Sequence, residues 1–426
     1  MERSKSTSIW SKLFKNDLQG MLVPVIVLTF IGSINIFSAT YVSSISSNDG
    51  LFGGLFGFFP KHLIFLAITG LIGILVYKID YRKFQNPIFR RNIMFAVALL
   101  LILVKVIGTT INGAQRWIIL GPISIQPSEF AKLAAIIWTA SLLGTHKWRK
   151  PRPRRGREEI LQYIGIRFGY MLPLLAWPVV FGGLTMLQPD MGTSVLIVMF
   201  SYMLIFLAGF DAKFFAATTL GLLPIGFMMA RFSPYRWERL LSWFDPWPHA
   251  QDMGYQTVQG LLAVGSGGFL GQGFMQGTSK YFYLPEAHTD FAFAVWAQEF
   301  GFVGGIIVIA MIVMFTVYGM RIASEARDDF GRWLATGITM LISGQALFNI
   351  AMVCGVMPVT GVPLPFISYG GSSLLINFVA VGILGNIARR NVVGVKQIGK
   401  KEQLPSLREE TQSRFRPNSA RQTISR

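Results

Sequence analysis

Long apolar segments separated by short polar gaps dominate the chain and constrain its fold more than any other feature. They lie near residues 21–41, 60–78, 92–110, 127–145, 168–187, 192–210, 213–230, 291–320, 332–357 and 371–388. Each spans about 17–30 residues, and about 20 apolar residues in a helix cross the hydrocarbon core of a bilayer. The pattern therefore predicts an all-α polytopic membrane protein with ten transmembrane helices.

The composition agrees with a membrane location. Hydrophobic residues make up 52% of the 426 residues, and only 14% are charged. A net charge of +18 would suggest nucleic acid binding in a soluble protein, but basic residues between membrane spans serve to orient the helices. We therefore expect no nucleic acid partner. The single cysteine, Cys354, lies in an apolar segment, which argues against disulfides and redox chemistry.

The positions of the basic residues predict the orientation. If the N-terminus is inside, the six gaps on that side hold 31 of the 39 Lys and Arg residues. Because basic loops stay in the cytoplasm, both termini are expected to be cytoplasmic. The predicted parts are a cytoplasmic segment at 1–20, a membrane domain at 21–390 with a large outer loop at 231–290 between helices 7 and 8, and a flexible basic tail at 391–426. The tail and the basic loop 146–157 are expected to touch membrane lipid.

The large outer loop contains the glycine-rich motif GSGGFLGQG at 265–273. Glycine permits tight turns and the close approach of one backbone to another group. The neighbouring apolar residues favour a segment folded on the membrane surface over a disordered connector.

Three ionisable residues, Glu286, His288 and Asp290, lie just before the eighth apolar segment. A carboxylate at the end of a membrane helix must face water, a partner or a substrate, because exposing a charge to lipid costs about 2.5–3.5 kcal/mol at mid-depth. A simpler interpretation is that Thr289 or Asp290 only caps the helix.

A second charged group opens the fourth apolar segment, in the motif QPSEFAK. Pro127 suits the first turn of a helix, and the helix dipole favours Glu129 there. Lys132 follows three residues later on the same face. This spacing fits a local tether of the helix end as well as a catalytic pair.

Other charged residues stand in the remaining outer gaps: Arg116 beside Trp117, Asp190 within LQPDMGTSV, and Lys280. Each alone fits an ordinary turn or surface position. The segment GVPLPFISYGGSS (361–373) has irregular backbone that needs burial in protein or a hydrated cavity. Because all these residues lie near one membrane face, we expect one mixed-charge site. Its carboxylates could transfer protons and its cations could stabilise the leaving group of a lipid-phosphate donor.

Six motifs in this order closely resemble the RodA- and FtsW-like SEDS family (shape, elongation, division and sporulation): QPSEFAK, QPDMGT, GYQTVQ, GSGGFLGQG, LPEAHTDF and GVPLPFISYGGSS. The resemblance implies a ten-helix peptidoglycan glycosyltransferase of the bacterial cytoplasmic (inner) membrane that polymerises lipid II on the outer side. It also implies partnership with a class B penicillin-binding protein, the transpeptidase, and with other proteins of an elongation or division complex.

The resemblance also assigns roles to residues. It implies that Asp290 is catalytic, with Glu129 and Lys132 beside it. It implies that the substrate-binding positions are Arg116, Asp190, Lys280, His288 and Ser368. One departure concerns Gln298-Glu299, where the family often has two acids. A divalent cation, Mg²⁺ or Mn²⁺, could assist the leaving group, although the sequence contains no dedicated metal site.

The expected mechanism is general-base catalysis in which Asp290 takes the proton of the acceptor sugar's 4-hydroxyl. Lys132 with Glu129 would orient Asp290, while Arg116 or Lys280 would neutralise the departing pyrophosphate. Two other functions fit the sequence: a lipid II flippase, and a non-catalytic scaffold of the wall-synthesis complex. The gathering of ionisable groups at one face weighs against a carrier, whose site usually lies near the bilayer midplane.

Overall fold

The computed structural model describes residues 16–46, 57–111, 114–121, 123–145, 157–232, 234–281 and 283–402. The predicted N-terminal segment up to residue 15, the basic loop 146–156 and the tail from residue 403 lie outside the described residues. The α-helices of the described parts are α1 (Asp17–Ser46), α2 (Phe58–Lys78), α3 (Pro87–Ile107), α4 (Pro127–Thr145), α5 (Arg157–Met186), α6 (Met191–Leu207), α7 (Ala212–Arg231), α8 (Pro234–Phe244), α9 (Tyr255–Ser266), α10 (Ala292–Ser324), α11 (Asp329–Val353) and α12 (Gly371–Glu402). Each of the ten predicted apolar segments overlaps one of these helices.

Seven helices are long and apolar enough to cross a membrane, namely α2, α3, α10, α11, residues 17–41 of α1, residues 165–186 of α5 and residues 371–391 of α12. Helix α6 and residues 212–228 of α7 are shorter but also apolar. Helix α4 has 19 residues and carries two buried charges, Glu129 and Lys132. The chain is therefore a helical, polytopic membrane protein.

A small sheet is the part of the fold that the all-α prediction missed. Strands β1 (Thr109–Ile111), β2 (Ala114–Leu120) and β3 (Ile123–Ile125) form an antiparallel sheet in that order between α3 and α4. The hydroxyl of Ser372 accepts from the Gln126 amide at 3.0 Å and donates to the Ser124 carbonyl at 3.1 Å. The sheet is thereby fixed to the start of α12.

The apolar segment 291–320 predicts one membrane helix, and the backbone of α10 leaves the helical conformation within it at Gly301, where φ is +65°. The glycine-rich segment 265–273 packs against this break: a Cβ on Gly301 would lie 2.3 Å from the Gly271 nitrogen. Four main-chain hydrogen bonds join the two: Gln272 N to Gln298 O, Gly273 N to Glu299 O, Phe302 N to Gly268 O, and Val303 N to Phe269 O, at 2.9–3.2 Å. The segment therefore pairs backbone groups that the break leaves without helical partners, as burial in a membrane protein requires.

Helix α1 packs against both α10 and the segment that joins α11 to α12. Asn35 donates to the Ala292 carbonyl at 2.8 Å, at the first residue of α10. A Cβ on Gly32 would lie only 2.4 Å from the Phe366 carbonyl oxygen. The backbone of α1 thus directly supports the irregular segment between α11 and α12.

This contact predicts that Gly32→Ala destabilises the protein, because the added methyl meets backbone that cannot rotate away. Overpacking of this kind costs about 1–3 kcal/mol. Gly70→Ala in α2 is the matched control, since no atom lies within 4 Å of its added Cβ and alanine favours helix. Thermal unfolding in detergent should show a lower midpoint for Gly32→Ala alone; equal midpoints for the two variants would contradict the contact.

Candidate active site

Asp290 lies two residues before α10, and its carboxyl is not used to cap that helix. The N-cap residue is Phe291, which has no side-chain capping bond. The Thr289 hydroxyl donates instead to the Glu286 carboxylate at 2.6 Å. Capping by Thr289 or Asp290 is therefore wrong. Within the described chain, no hydrogen-bond donor reaches the Asp290 carboxyl, which leaves its oxygens for a ligand.

The backbone around Asp290 is held by Asn349 of α11. Its amide donates to the Asp290 carbonyl at 2.8 Å and to the Val362 carbonyl at 2.7 Å. The adjacent Gly361 has φ +72°, and a Cβ there would lie 3.2 Å from a carboxyl oxygen of Asp290. The segment 361–373 therefore lies beside Asp290, as the sequence indicated.

The pKa of the Asp290 carboxyl is raised well above its ordinary value. Burial, together with the negative charges of Glu286 and Asp190, raises its pKa to about 7, while Arg116 and Arg239 act in the opposite direction. A carboxyl that is half deprotonated near neutral pH suits proton transfer at that pH. The same interactions place two carboxylates and two guanidinium groups around Asp290.

Asp190 and Arg116 form one side of this group. The buried Asp190 carboxylate caps α6 by accepting from the Thr193 amide at 3.2 Å, and Gln126 donates to it at 3.4 Å. Arg116 of β2 lies 3.9 Å from that carboxylate and donates to the Pro189 carbonyl at 2.5 Å. Its side chain is 24% exposed, so a cation is available at the surface of the site.

Glu129 and Lys132 form the predicted pair in the first turns of α4, with 2.7 Å between Nζ and Oε1. Both are buried, and Lys132 also donates to Gln345 Oε1 at 2.6 Å. The amide of Gln345 donates in turn to the Pro363 carbonyl at 2.9 Å. The partners of Lys132 in the described chain are thus Glu129 and Gln345, not Asp290. Gln345 thus connects the pair to the segment that contains Pro363.

Lys280 lies apart from this group. Its ammonium bonds Glu299 at 3.0 Å and the Ser38 hydroxyl at 3.2 Å, and both charged side chains are 1% exposed. The neighbouring Gln298 is the residue that replaces the first of the two acids often found in the family. Its side-chain oxygen accepts two hydrogen bonds from Ser279. This placement argues against the predicted contact between Lys280 and a pyrophosphate, because the charge is already paired inside the protein.

His288 and Ser368 are both engaged by neighbouring residues of the protein. The His288 ring packs against Phe58 and Tyr369 at centroid distances of 5.0 and 5.7 Å, and burial lowers its pKa. The Ser368 hydroxyl accepts from the Leu364 amide at 2.8 Å. The His288 ring is therefore held in an aromatic group with Phe58 and Tyr369, and the Ser368 hydroxyl is engaged inside its own loop.

Arg239 is the residue of this group that sequence reasoning missed. It lies in α8, donates to the Val359 carbonyl at 3.2 Å and lowers the pKa of Asp290. It also lines a cavity of about 200 Å³ together with Asp252, Gln256 and other residues of the outer loop. The available signal was its position among the few basic residues on the predicted outer side.

The described residues contain no group of three or more His, Cys, Asp or Glu side chains placed to hold a metal ion. Mg²⁺ is commonly held by one or two carboxylates together with substrate phosphates. The carboxylates around Asp290 therefore fit a divalent ion only as partial ligands.

The fold and the site together define a polytopic membrane protein with an acid–base centre beside two arginines. Residues 19–392 match the model of a cell cycle protein family, that of FtsW, RodA and SpoVE. A probable peptidoglycan glycosyltransferase FtsW of Geobacter sp. (strain M18) is 36% identical over 375 residues, covering 87% of this chain and 96% of the relative. Stage V sporulation protein E of Bacillus subtilis (strain 168) is 36% identical, covering 88% and 97%.

Solved structures share the fold. A chain from a peptidoglycan synthase complex, described as coordinating polymerization and crosslinking, aligns with TM-score 0.68 and 27% identity over 88% of this chain and 98% of its own length. The rod shape determining protein RodA of Thermus thermophilus aligns with TM-score 0.58 and 24% identity over 87% and 96%. This chain belongs to the FtsW, RodA and SpoVE family. It is a glycosyltransferase of that family.

The burial of Lys280 generates a test of its role. Lys280→Met leaves the Glu299 carboxylate buried without its cation, and breaking such a pair costs about 3–5 kcal/mol. The double variant Lys280→Met/Glu299→Gln removes both charges and should recover most of the lost stability. Unfolding midpoints in detergent measure both variants. A single variant as stable as the wild type would contradict a structural role for the lysine.

Proposed function

We propose that this chain polymerises lipid II into the glycan strands of peptidoglycan, with Asp290 as the general base. The observation that carries the proposal is the Asp290 carboxyl itself. It is partly buried, receives no hydrogen bond from the described chain, and titrates near neutral pH beside two arginines.

In the proposed reaction, the Asp290 carboxylate takes the proton from the 4-hydroxyl of the acceptor sugar. The oxygen attacks the anomeric carbon of the donor, and the bond from that carbon to the undecaprenyl pyrophosphate breaks. Inversion at the anomeric carbon gives a β-1,4 linkage, and the pyrophosphate leaves with the bonding electron pair. General-base assistance of this kind contributes typically 10²–10⁴-fold in rate.

Arg116 and Arg239 are the cations proposed to receive the pyrophosphate. Both influence Asp290 electrostatically, so both lie near the place where the leaving group departs. Guanidinium groups bind phosphate oxygens in a bidentate geometry and stabilise the charge that develops on the leaving group. A Mg²⁺ or Mn²⁺ ion held in part by the carboxylates near Asp290 would contribute further positive charge for the leaving group.

The proposed arrangement in the membrane has ten spans, formed by α1–α7 and α10–α12, with both termini in the cytoplasm. The excess of basic residues in the gaps on that side supports it. Asp290 then faces outward from the bacterial cytoplasmic membrane, where a class B penicillin-binding protein would crosslink the product. The likeness to a chain of a peptidoglycan synthase complex supports this partnership.

Asp290→Asn should abolish polymerisation while preserving the fold, because the Asn349 bond involves only the backbone carbonyl of residue 290. We expect a loss of at least about 100-fold in the rate of glycan formation from labelled lipid II by the purified protein with its crosslinking partner. Asp245→Asn, at an exposed position of the same outer loop, is the control and should retain activity.

The labelled lipid II also separates the enzyme from a flippase. Glycan strands made by the wild-type protein identify an enzyme, whereas movement of lipid II across the membrane of reconstituted vesicles without strands would identify a carrier. Full activity in a well-folded Asp290→Asn variant would overturn the assignment of the base.

The pKa of Asp290 predicts a pH dependence with a defined sign. The carboxylate is the active form, so kcat/KM should rise with pH up to about pH 7 and then level off. Glu286→Gln removes a negative charge that raises this pKa, so it should shift the rise to lower pH. Arg239→Gln removes a charge that lowers it and should shift the rise to higher pH. Shifts in the same direction would contradict the arrangement of charges around Asp290.

A further inference from the structure

A basic cavity lies at the end of the helix bundle opposite Asp290. Its volume is about 260 Å³, and the described residues that line it are Lys78, Arg327, Asn386, Arg389 and Arg390. Helix α2 begins at Phe58 beside His288 and ends at Lys78, so roughly 30 Å of helix separates the two ends. The cavity is therefore distinct from the catalytic site.

The charge of the cavity lining is strongly positive. Four of the five residues are cations and none is a carboxylate. Arg390 pairs with Asp80 at 3.0 Å, and Arg389 lies over the Tyr77 ring. Among the described residues, no carboxylate lies within ion-pair distance of the other three cations. Three positive charges thus converge on one cavity without an ion-pair partner among the described residues.

The wall of the cavity is rigid. Asn386 is buried, donates to the Tyr77 carbonyl at 2.7 Å and accepts from the Tyr81 amide at 3.1 Å. One turn earlier, a Cβ on Gly382 would lie 2.5 Å from the Gly73 carbonyl oxygen. Helices α2 and α12 are therefore in backbone contact beside the cavity, so its cations stand on a fixed frame instead of a loose surface.

An apolar helix face leads from this cavity toward the middle of the membrane. The last turns of α2 and the residue that follows them expose Leu71, Ile74, Leu75 and Ile79, each between 43% and 59%. Exposed side chains of this kind on a membrane-spanning helix lie against acyl chains. A ligand with both an anionic head and apolar chains matches the cavity and this face together, whereas a soluble phosphate matches only the cavity.

We propose that the cavity binds the phosphate of an anionic phospholipid whose acyl chains lie along the exposed face of α2. Basic cavities between membrane helices on the cytoplasmic side are suited to such headgroups. The bound phosphate would join the end of α2, the turn between α10 and α11, and α12, since each of these contributes a cation. The lipid is thus a stabilising ligand at the end of the bundle remote from the chemistry.

The test titrates the purified, full-length protein in neutral detergent with phosphatidylglycerol, and measures bound lipid by native mass spectrometry. Lys78→Gln/Arg327→Gln should weaken phosphatidylglycerol binding roughly 30-fold, at about fivefold for each lost charge. Lys83→Gln/Arg91→Gln removes two exposed charges from the same end of the bundle but outside the cavity, and should change binding less than about twofold. The charge-conserving Lys78→Arg/Arg327→Lys should bind as the wild type does.

Further arms distinguish the sources of the phosphate. Phosphatidylcholine should not be retained, and inorganic phosphate at millimolar concentration should not displace phosphatidylglycerol. Equal retention of the two lipids, an equal loss in both double-Gln variants, or displacement by inorganic phosphate would each overturn the proposal. These measurements need no enzymatic activity, so their failure would leave the proposed glycosyltransferase reaction untouched.

Discussion

One buried amide holds together the two irregular segments that make up the candidate site. Asn349 donates to the carbonyls of Asp290 and Val362, neither of which lies in a helix. An unpaired carbonyl at membrane depth costs several kcal/mol, so these bonds fix the two segments relative to each other. Gln345, one turn earlier on the same face of α11, does the same for Pro363 and is itself held by Lys132. The buried ion pair of α4 therefore supports the site as a positioning element.

The outer loop depends on a second set of paired backbone groups. The break of α10 at Gly301 frees carbonyls and amides, and the glycine-rich segment approaches closely enough to bond them. The ion pair between Lys280 and Glu299 fixes the same loop a few residues further along the chain. The loop is thereby anchored on both sides of the break, and α10 starts at the position that presents Asp290. The break in α10 at Gly301 therefore provides the backbone groups that order the outer loop.

Features that depend on local sequence pattern, such as the membrane helices, could be predicted. Features that depend on contacts between distant residues, such as the place of Lys280, could not. Long apolar segments identify membrane helices because their length must match the bilayer. Pro127 and Glu129 locate the start of α4 for the same kind of local reason. The sheet was missed because two of its strands have only three residues, too few for a period to show. Lys280 was assigned to the site by the family resemblance and by its predicted place at the outer membrane face, whereas Ser38, a partner 242 residues away, places it inside the protein.

The charges around Asp290 link donor binding to the strength of the base. Glu286 and Asp190 raise the pKa of the carboxyl, and Arg116 and Arg239 keep it low enough to ionise near neutral pH. In the proposed mechanism a donor pyrophosphate binds those two arginines and neutralises the charges that lower the pKa. The carboxyl then becomes a stronger base once the donor is in place, because opposite charges nearby no longer stabilise its ionised form. Because a higher pKa makes the carboxylate a stronger base but lowers the fraction that is ionised near neutral pH, the four charges would couple donor binding to the pH at which Asp290 can take the acceptor's proton.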